Sequence, residues 1–197
     1  KSVLCHRRGG VARTVWKLQG KDTMEVTGRI AAYHRDWMAQ EKAEATTQQR
    51  APDLIDAVVI DDTGVGGGVS DRLRELGIKV VRFQGGALPS PYGRTKYADA
   101  NTEAWCLMAE VFKAGGLDID RDAALISQLV SRQYFIQSDR RLKLQSKEDL
   151  RPTDRLARAS WHSPDEADAL AMTFSPMATS HRFPIIMGEL QHDAEVE

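Results

Sequence analysis

Ala57-Val58-Val59-Ile60-Asp61-Asp62-Thr63-Gly64-Val65-Gly66-Gly67-Gly68-Val69 is the stretch whose reading decides the fold. Ala57 to Ile60 is a continuous apolar run bounded by polar residues. Such a run suits a strand covered by helices on both faces, because a strand with one wet face alternates instead. A glycine-rich turn follows, then a helix over Val69 to Leu76 and a second strand over Ile78 to Phe83. Strand, helix and strand in so short a span make a crossover unit, so the sheet is partly parallel and the class is α/β.

Upstream, Val3 to His6 and Val11 to Leu18 read as two strands joined through Gly9-Gly10, where paired glycines supply the positive φ of a hairpin. Asp22 with Glu25 three residues later reads as a capping box. The helix it opens carries Val26, Ile30, Tyr33 and Trp37 at helical spacing, and the polar run Gln40 to Gln49 is its end or a loop. Downstream, Ala104, Trp105, Met108, Val111 and Phe112 share one face of a helix over Asn101 to Lys113, which Gly115-Gly116 end. A helix over Asp122 to Ser131 comes next, then a hairpin of Tyr134 to Gln137 with Leu142 to Leu144. A last helix begins at Ser163, with Pro164 at its first position and Glu166 at its third. Residues 1–175 thus read as one domain and residues 176–197 as a C-terminal tail.

Two acidic places stand out. Asp61 and Asp62 end the buried strand, and ligands of open α/β sheets gather at the carboxyl ends of strands. Asp165 and Asp168 are three apart, hence on one face of the last helix. Each pair alone also has a structural reading, as a turn brace or as acids favoured in a helix's first turn. The glycines after Asp62 do not make a dinucleotide fingerprint: Val69 stands where the third glycine belongs, and the two aspartates would repel a pyrophosphate. No lysine of the Walker type follows them, so no ATPase site is present in these residues.

Composition narrows the class further. Hydrophobic residues at 42% and charged residues at 28% belong to a globular chain, and no stretch reaches membrane-span length, so no membrane partner is expected. A net charge of −1 argues against a uniformly basic nucleic-acid binder while leaving room for a local basic face. Cys5 and Cys106 show no metal-type spacing and read as reduced thiols.

The ordered motifs resemble those of the large subunit of tailed-phage terminases, over about Lys1 to Phe174. Val59 to Val69 followed by Asp71-Arg72-Leu73 is similar to that family's second acidic motif. Ser146-Lys147-Glu148-Asp149 and then Ser163-Pro164-Asp165-Glu166-Ala167-Asp168-Ala169-Leu170-Ala171 are similar to its closing stretch, with Phe83-Gln84-Gly85 and the helix of Asn101, Glu103 and Trp105 in order between them. The resemblance implies a ribonuclease-H-like mixed sheet flanked by helices. It also implies an endonuclease that cuts double-stranded DNA with little sequence specificity, using two Mg²⁺ or Mn²⁺ ions. Asp61 and Asp165 would be the catalytic, metal-holding carboxylates, Asp62 and Asp168 further metal candidates, and His162 an accessory. Arg132, Arg140, Arg141, Lys143 and Lys147, on or near the second hairpin, are the candidates for holding DNA phosphates. The strand ending at Asp61 should lie centrally in the sheet, beside the start of the last helix. Implied partners are the terminase ATPase domain, the portal and the small subunit, in the host cytoplasm. The family's first catalytic aspartate precedes the segment that Lys1 to Gly10 resembles, so residues 1–197 are expected to lack it and to cut weakly or not at all. Another ribonuclease-H-like nuclease, of the junction-resolvase or transposase type, and a non-catalytic α/β binding domain are the alternatives.

Overall fold

Ser2–Arg8 (β1) and Val11–Leu18 (β2) pair as an antiparallel hairpin, and Gly9 at its turn takes a φ of 59°. The computed structural model describes residues 1–63, 66–154 and 163–177. Thr23–Thr47 (α1) starts at Asp22, whose carboxylate accepts the Glu25 amide at 2.7 Å. Only this half of the expected capping box forms, because the Glu25 carboxylate pairs with Lys21 and Arg29 instead. The helix runs on through the polar stretch to Thr47 because Glu41 within it is buried and bound to Arg50.

Val58–Asp61 (β3), Gly66–Glu75 (α2) and Val80–Phe83 (β4) form the expected crossover, with β3 and β4 parallel in a register that sets Asp61 opposite Phe83. Ala100–Lys113 (α3) and Ala123–Ser131 (α4) are capped by the side chains of Asp99 and Asp122. Tyr134–Ile136 (β5) and Leu142–Leu144 (β6) make the second hairpin, followed by Lys147–Leu150 (α5) with a complete capping box between Ser146 and Asp149. The last described helix, Asp165–Met172 (α6), begins one residue later than the sequence predicts, with Pro164 rather than Ser163 at its N-cap and no side-chain cap. Its open amides find another acceptor: Glu166 and Ala167 donate to Oε1 of Gln128 on α4, at 3.0 and 3.1 Å.

Two buried clusters sit on opposite faces of the strands. One gathers Val26 and Ile30 of α1, Val69 and Leu73 of α2, and Ile78 and Val80, with Leu4 and Ile60 packed against it. The other gathers Trp105 and Met108 of α3, Leu125 of α4, and Leu170 and Phe174 around α6, with Cys5 against it. Neighbouring residues Leu4 and Cys5 therefore point into different cores, as the two-residue period of a strand covered on both faces requires.

The strands form three two-stranded ladders, β1-β2, β3-β4 and β5-β6. The expected single mixed sheet with β3 at its centre is thus interrupted: β3 pairs with β4 alone among the described residues. A cavity separates its other edge from β1. The predicted tail beyond Met177, and His162, lie outside the described residues.

Candidate metal and phosphate cleft

β3 delivers Asp61 to its carboxyl end, where the side chain is exposed and one oxygen accepts the Thr63 amide at 3.1 Å. A cleft of about 440 Å³ opens there, and Asp61, Asp168, Arg132, Lys143, Lys147 and Glu148 are among its lining residues. The crossover, the second hairpin, α5 and α6 thus converge on one place, as position at the end of a buried strand leads one to expect.

Asp168 is held more firmly than Asp61. Its Oδ1 accepts the Trp105 indole N–H at 3.0 Å, with a guanidinium nitrogen of Arg132 at 3.9 Å. Its Oδ2 is buried without a hydrogen bond, and the Lys147 ammonium lies 2.7 Å from it. The same ammonium is 3.9 Å from Asp165 Oδ1. Lys147 therefore bridges the two carboxylates of the first turn of α6, and Asp168 is the one that also lines the cleft with Asp61. Glu166, between them, faces away: it is bound by Lys1 at 2.6 Å and Lys17 at 2.7 Å. Burial opposes its ionisation, but these ammonium groups outweigh that and hold its pKa below the ordinary carboxylate value.

Asp62 is not directed to the cleft. Ser70 of α2 donates to its Oδ1 at 3.1 Å, and Arg82 of β4 lies 3.6 Å from its Oδ2, so it ties the crossover together.

The five basic candidates separate. Lys143 and Lys147 line the cleft; Lys143 pairs with Asp99, the cap of α3. Arg132 also lines it, but from inside, with a side chain only 2% exposed. Its guanidinium lies 5.0 Å over the Trp105 ring, and burial lowers its pKa. Arg132 follows the end of α4, next to the second hairpin, and packs on Trp105, which draws it inward. Arg141 is engaged by Asp139 at 2.7 Å, while Arg140, at a φ of 66°, is exposed at the turn.

Trp105 is the residue that sequence reasoning assigns to the core alone. Its ring does belong to the core, and its N–H holds Asp168. A buried indole N–H usually finds an acceptor, which was the available signal.

A divalent cation needs hard oxygen donors. Asp61 and Asp168 at one cleft, the second with an oxygen that Lys147 ion-pairs at 2.7 Å, supply that chemistry. Among the described residues no cluster of three His, Cys, Asp or Glu side chains gathers as a metal cage.

The helix-covered strands and the acidic cleft at a strand's carboxyl end define an α/β fold of the ribonuclease-H-like kind. Solved structures share it. The nuclease domain of the large terminase subunit gp2 of bacterial virus Sf6 matches with a TM-score of 0.62 at 17% identity, covering 86% of this chain and 80% of that one. A lysine-to-alanine variant of that domain with manganese matches with a TM-score of 0.62 at 19% identity, over 86% of this chain and 81% of that one. The same variant with calcium gives 0.62 and 19%, over 86% and 80%. No protein-family model and no curated protein matches the chain.

Proposed function

We propose that the chain is the nuclease domain of a phage DNA-packaging terminase, a metal-dependent endonuclease acting on double-stranded DNA. The observation that carries this is the cleft where Asp61 and Asp168 meet Lys143, Lys147 and Arg132, in a fold shared with terminase nuclease domains. Asp61 and Asp168 would hold the metal, with Asp165 joining them through the space Lys147 now bridges. The proposed cofactors are two Mg²⁺ or Mn²⁺ ions; once bound they activate water and stabilise the leaving 3′ oxygen.

The chain's own residues set the rest. Trp105 fixes the orientation of Asp168 and keeps its second oxygen turned towards the cleft. The ammonium groups of Lys143 and Lys147, with Arg140 and Arg141 at the hairpin turn, hold phosphates without reading bases, so cutting is nearly sequence-independent. Arg132 adds positive charge beneath the cleft. The ATPase domain, portal and small subunit of a terminase are the proposed partners, in the host cytoplasm; among the described residues no helix is long and apolar enough to cross a membrane.

The test is paired. Mn²⁺ titration followed by NMR should broaden the signals around Asp61 and Asp168 first, and supercoiled plasmid should be nicked slowly in Mn²⁺. Binding of Mn²⁺ elsewhere, or nicking unaffected by Asp61→Asn, would overturn the assignment. A strong preference for branched junctions over linear duplex would move it to the resolvase class.

A further inference from the structure

The second hairpin is broader than its two strands. Leu142 of β6 donates its amide to the Lys96 carbonyl at 2.8 Å, and its own carbonyl accepts the Ala98 amide at 2.8 Å. Lys96 to Ala98 therefore lies alongside β6 and parallel to it, with Tyr97 next to Leu142. The result is a ribbon with β6 in the middle, β5 on one side and this short extended segment on the other.

Residues side by side on neighbouring strands share a face, and the face alternates along each strand. One face carries Tyr97, Leu142 and Leu144, and Leu144 belongs to the core around Trp105. The other carries Lys143 and Gln145, which line the cleft of Asp61 and Asp168, and in the same alternation Arg141 and Lys96. The β5 residues on this cleft face are Gln133, Phe135 and Gln137, set by their pairing with Gln145, Lys143 and Arg141. A wet sheet face takes polar side chains, and this one does so at each of these positions except Phe135. The Phe135 ring is 50% exposed, belongs to neither buried cluster and stands directly across the ladder from Lys143.

An aromatic ring among ammonium and guanidinium groups suits a ligand that is anionic along its length and has flat apolar faces. Fully paired DNA offers phosphates and base edges, but its base faces are covered by one another. A nucleotide out of the stack offers its phosphate to a cation and its base face to the ring. The positive charge for this is in place beside Phe135. Lys143 and Arg141 also meet the carboxylates of Asp99 and Asp139, whereas Lys96 is exposed and ion-pairs with no carboxylate among the described residues. We infer that Phe135 is a stacking platform for an unpaired base of the DNA in the cleft, with Lys143 and Lys96 holding the phosphates around it. The inference rests on the nuclease reading and adds a preference to it. DNA already opened over a few bases binds better than fully paired DNA, because its base need not first be drawn from the stack. The identity of that base is immaterial, since every base has a face to stack.

The probes are two labelled duplexes, one fully paired and one with three adjoining mismatches at its centre. Their binding to the full chain is read by fluorescence anisotropy in EDTA, so that nothing is cut. The opened duplex should bind at least about fivefold tighter, the scale of one base stacked on an aromatic ring. Phe135→Ala should abolish that preference with little change in affinity for the paired duplex, and Phe135→Trp should keep it. Lys96→Ala should weaken both duplexes by similar factors and flatten the salt dependence. On irradiation, 5-iodouracil should cross-link to Phe135 from a mismatched position and not from a paired one. Equal affinity of the parent for the two duplexes would overturn the inference and leave the nuclease reading standing. A preference that survives Phe135→Ala, with circular dichroism unchanged, would also overturn it and give the ring to a protein partner. A chain that binds neither duplex would remove the nuclease reading and the inference together.

Discussion

Asp168 and Asp165 stand three residues apart on one helix turn, yet their surroundings divide their work. Asp168 lines the cleft with Asp61 and is oriented by Trp105, whereas Asp165 touches the cleft's cation only at 3.9 Å. Under the nuclease reading, Asp61→Asn and Asp168→Asn should each lower Mn²⁺ affinity and nicking by at least about 100-fold, with Asp165→Asn doing less harm. That order reverses the weight that sequence alone gives the two helix residues, and a larger loss for Asp165→Asn than for Asp168→Asn would restore it. Trp105→Phe keeps the ring's bulk and removes the N–H that fixes Asp168. It should cost about 10–100-fold in Mn²⁺ affinity, the usual effect of losing a partner behind a metal ligand, with thermal stability changing little. A variant that loses stability but binds Mn²⁺ as before would show Trp105 to be core alone.

Gly66 shows what an element asks of one position. A Cβ there would fall 1.8 Å from the Asp61 carbonyl oxygen, so the start of α2 can lie against the end of β3 only without a side chain. Gly66→Ala should therefore destabilise the fold by about 1–3 kcal/mol and weaken Mn²⁺ binding by displacing Asp61. Chemical denaturation and Mn²⁺ titration of one sample check both, and an unperturbed protein would show that the turn absorbs the methyl group. The crossover around this glycine was legible because an apolar run and a periodic helix encode local preferences. The hairpins were legible for the same reason, from their turn residues. The start of α6 was not, since the acceptor for its amides is Gln128, 38 residues away from Glu166. The continuity of the sheet was equally hidden: an apolar run says that β3 is covered on its faces, and says nothing of what lies at its edges. In the site, the strand-end Asp61 could be read from pattern. The inward turn of Asp62 towards Ser70 and Arg82, and of Arg132 onto Trp105, depends on contacts between distant elements.

Across the whole molecule, charge couples the two ladders to α1, and acid should take them apart in two stages. Glu41 of α1 is buried and accepts Arg50 at 2.5 Å and the Asp53 amide at 2.8 Å, with Arg8 of β1 at 3.4 Å. These partners, Arg50 foremost, hold its pKa near 2 against an ordinary 4.5. A carboxyl group whose folded pKa is depressed stabilises the fold above its unfolded value, and that stability is lost as pH falls towards the folded one. Loss through Glu41 therefore belongs to the window from about 4.5 down to about 2. His6 on β1 and His34 on α1 act earlier: burial lowers both below their ordinary 6.5, so the unfolded chain takes up those protons first. Stability should thus be level from pH 6.5 up towards 9, where the buried Cys5 and Cys106 thiols begin to oppose folding, decline gently below 6.5, and fall steeply below about 4.5 as the Glu41 network protonates. Melting temperatures across this range give the profile of the parent. In Glu41→Gln the neutral amide cannot meet the Arg50 and Arg8 charges, so the variant should be less stable at pH 7 and its steep acid limb shallower, while the gentle decline from the histidines persists. A parallel acid limb in the variant and the parent would mean that Glu41 does not couple α1 to β1, and that acid acts on the molecule through its other carboxylates.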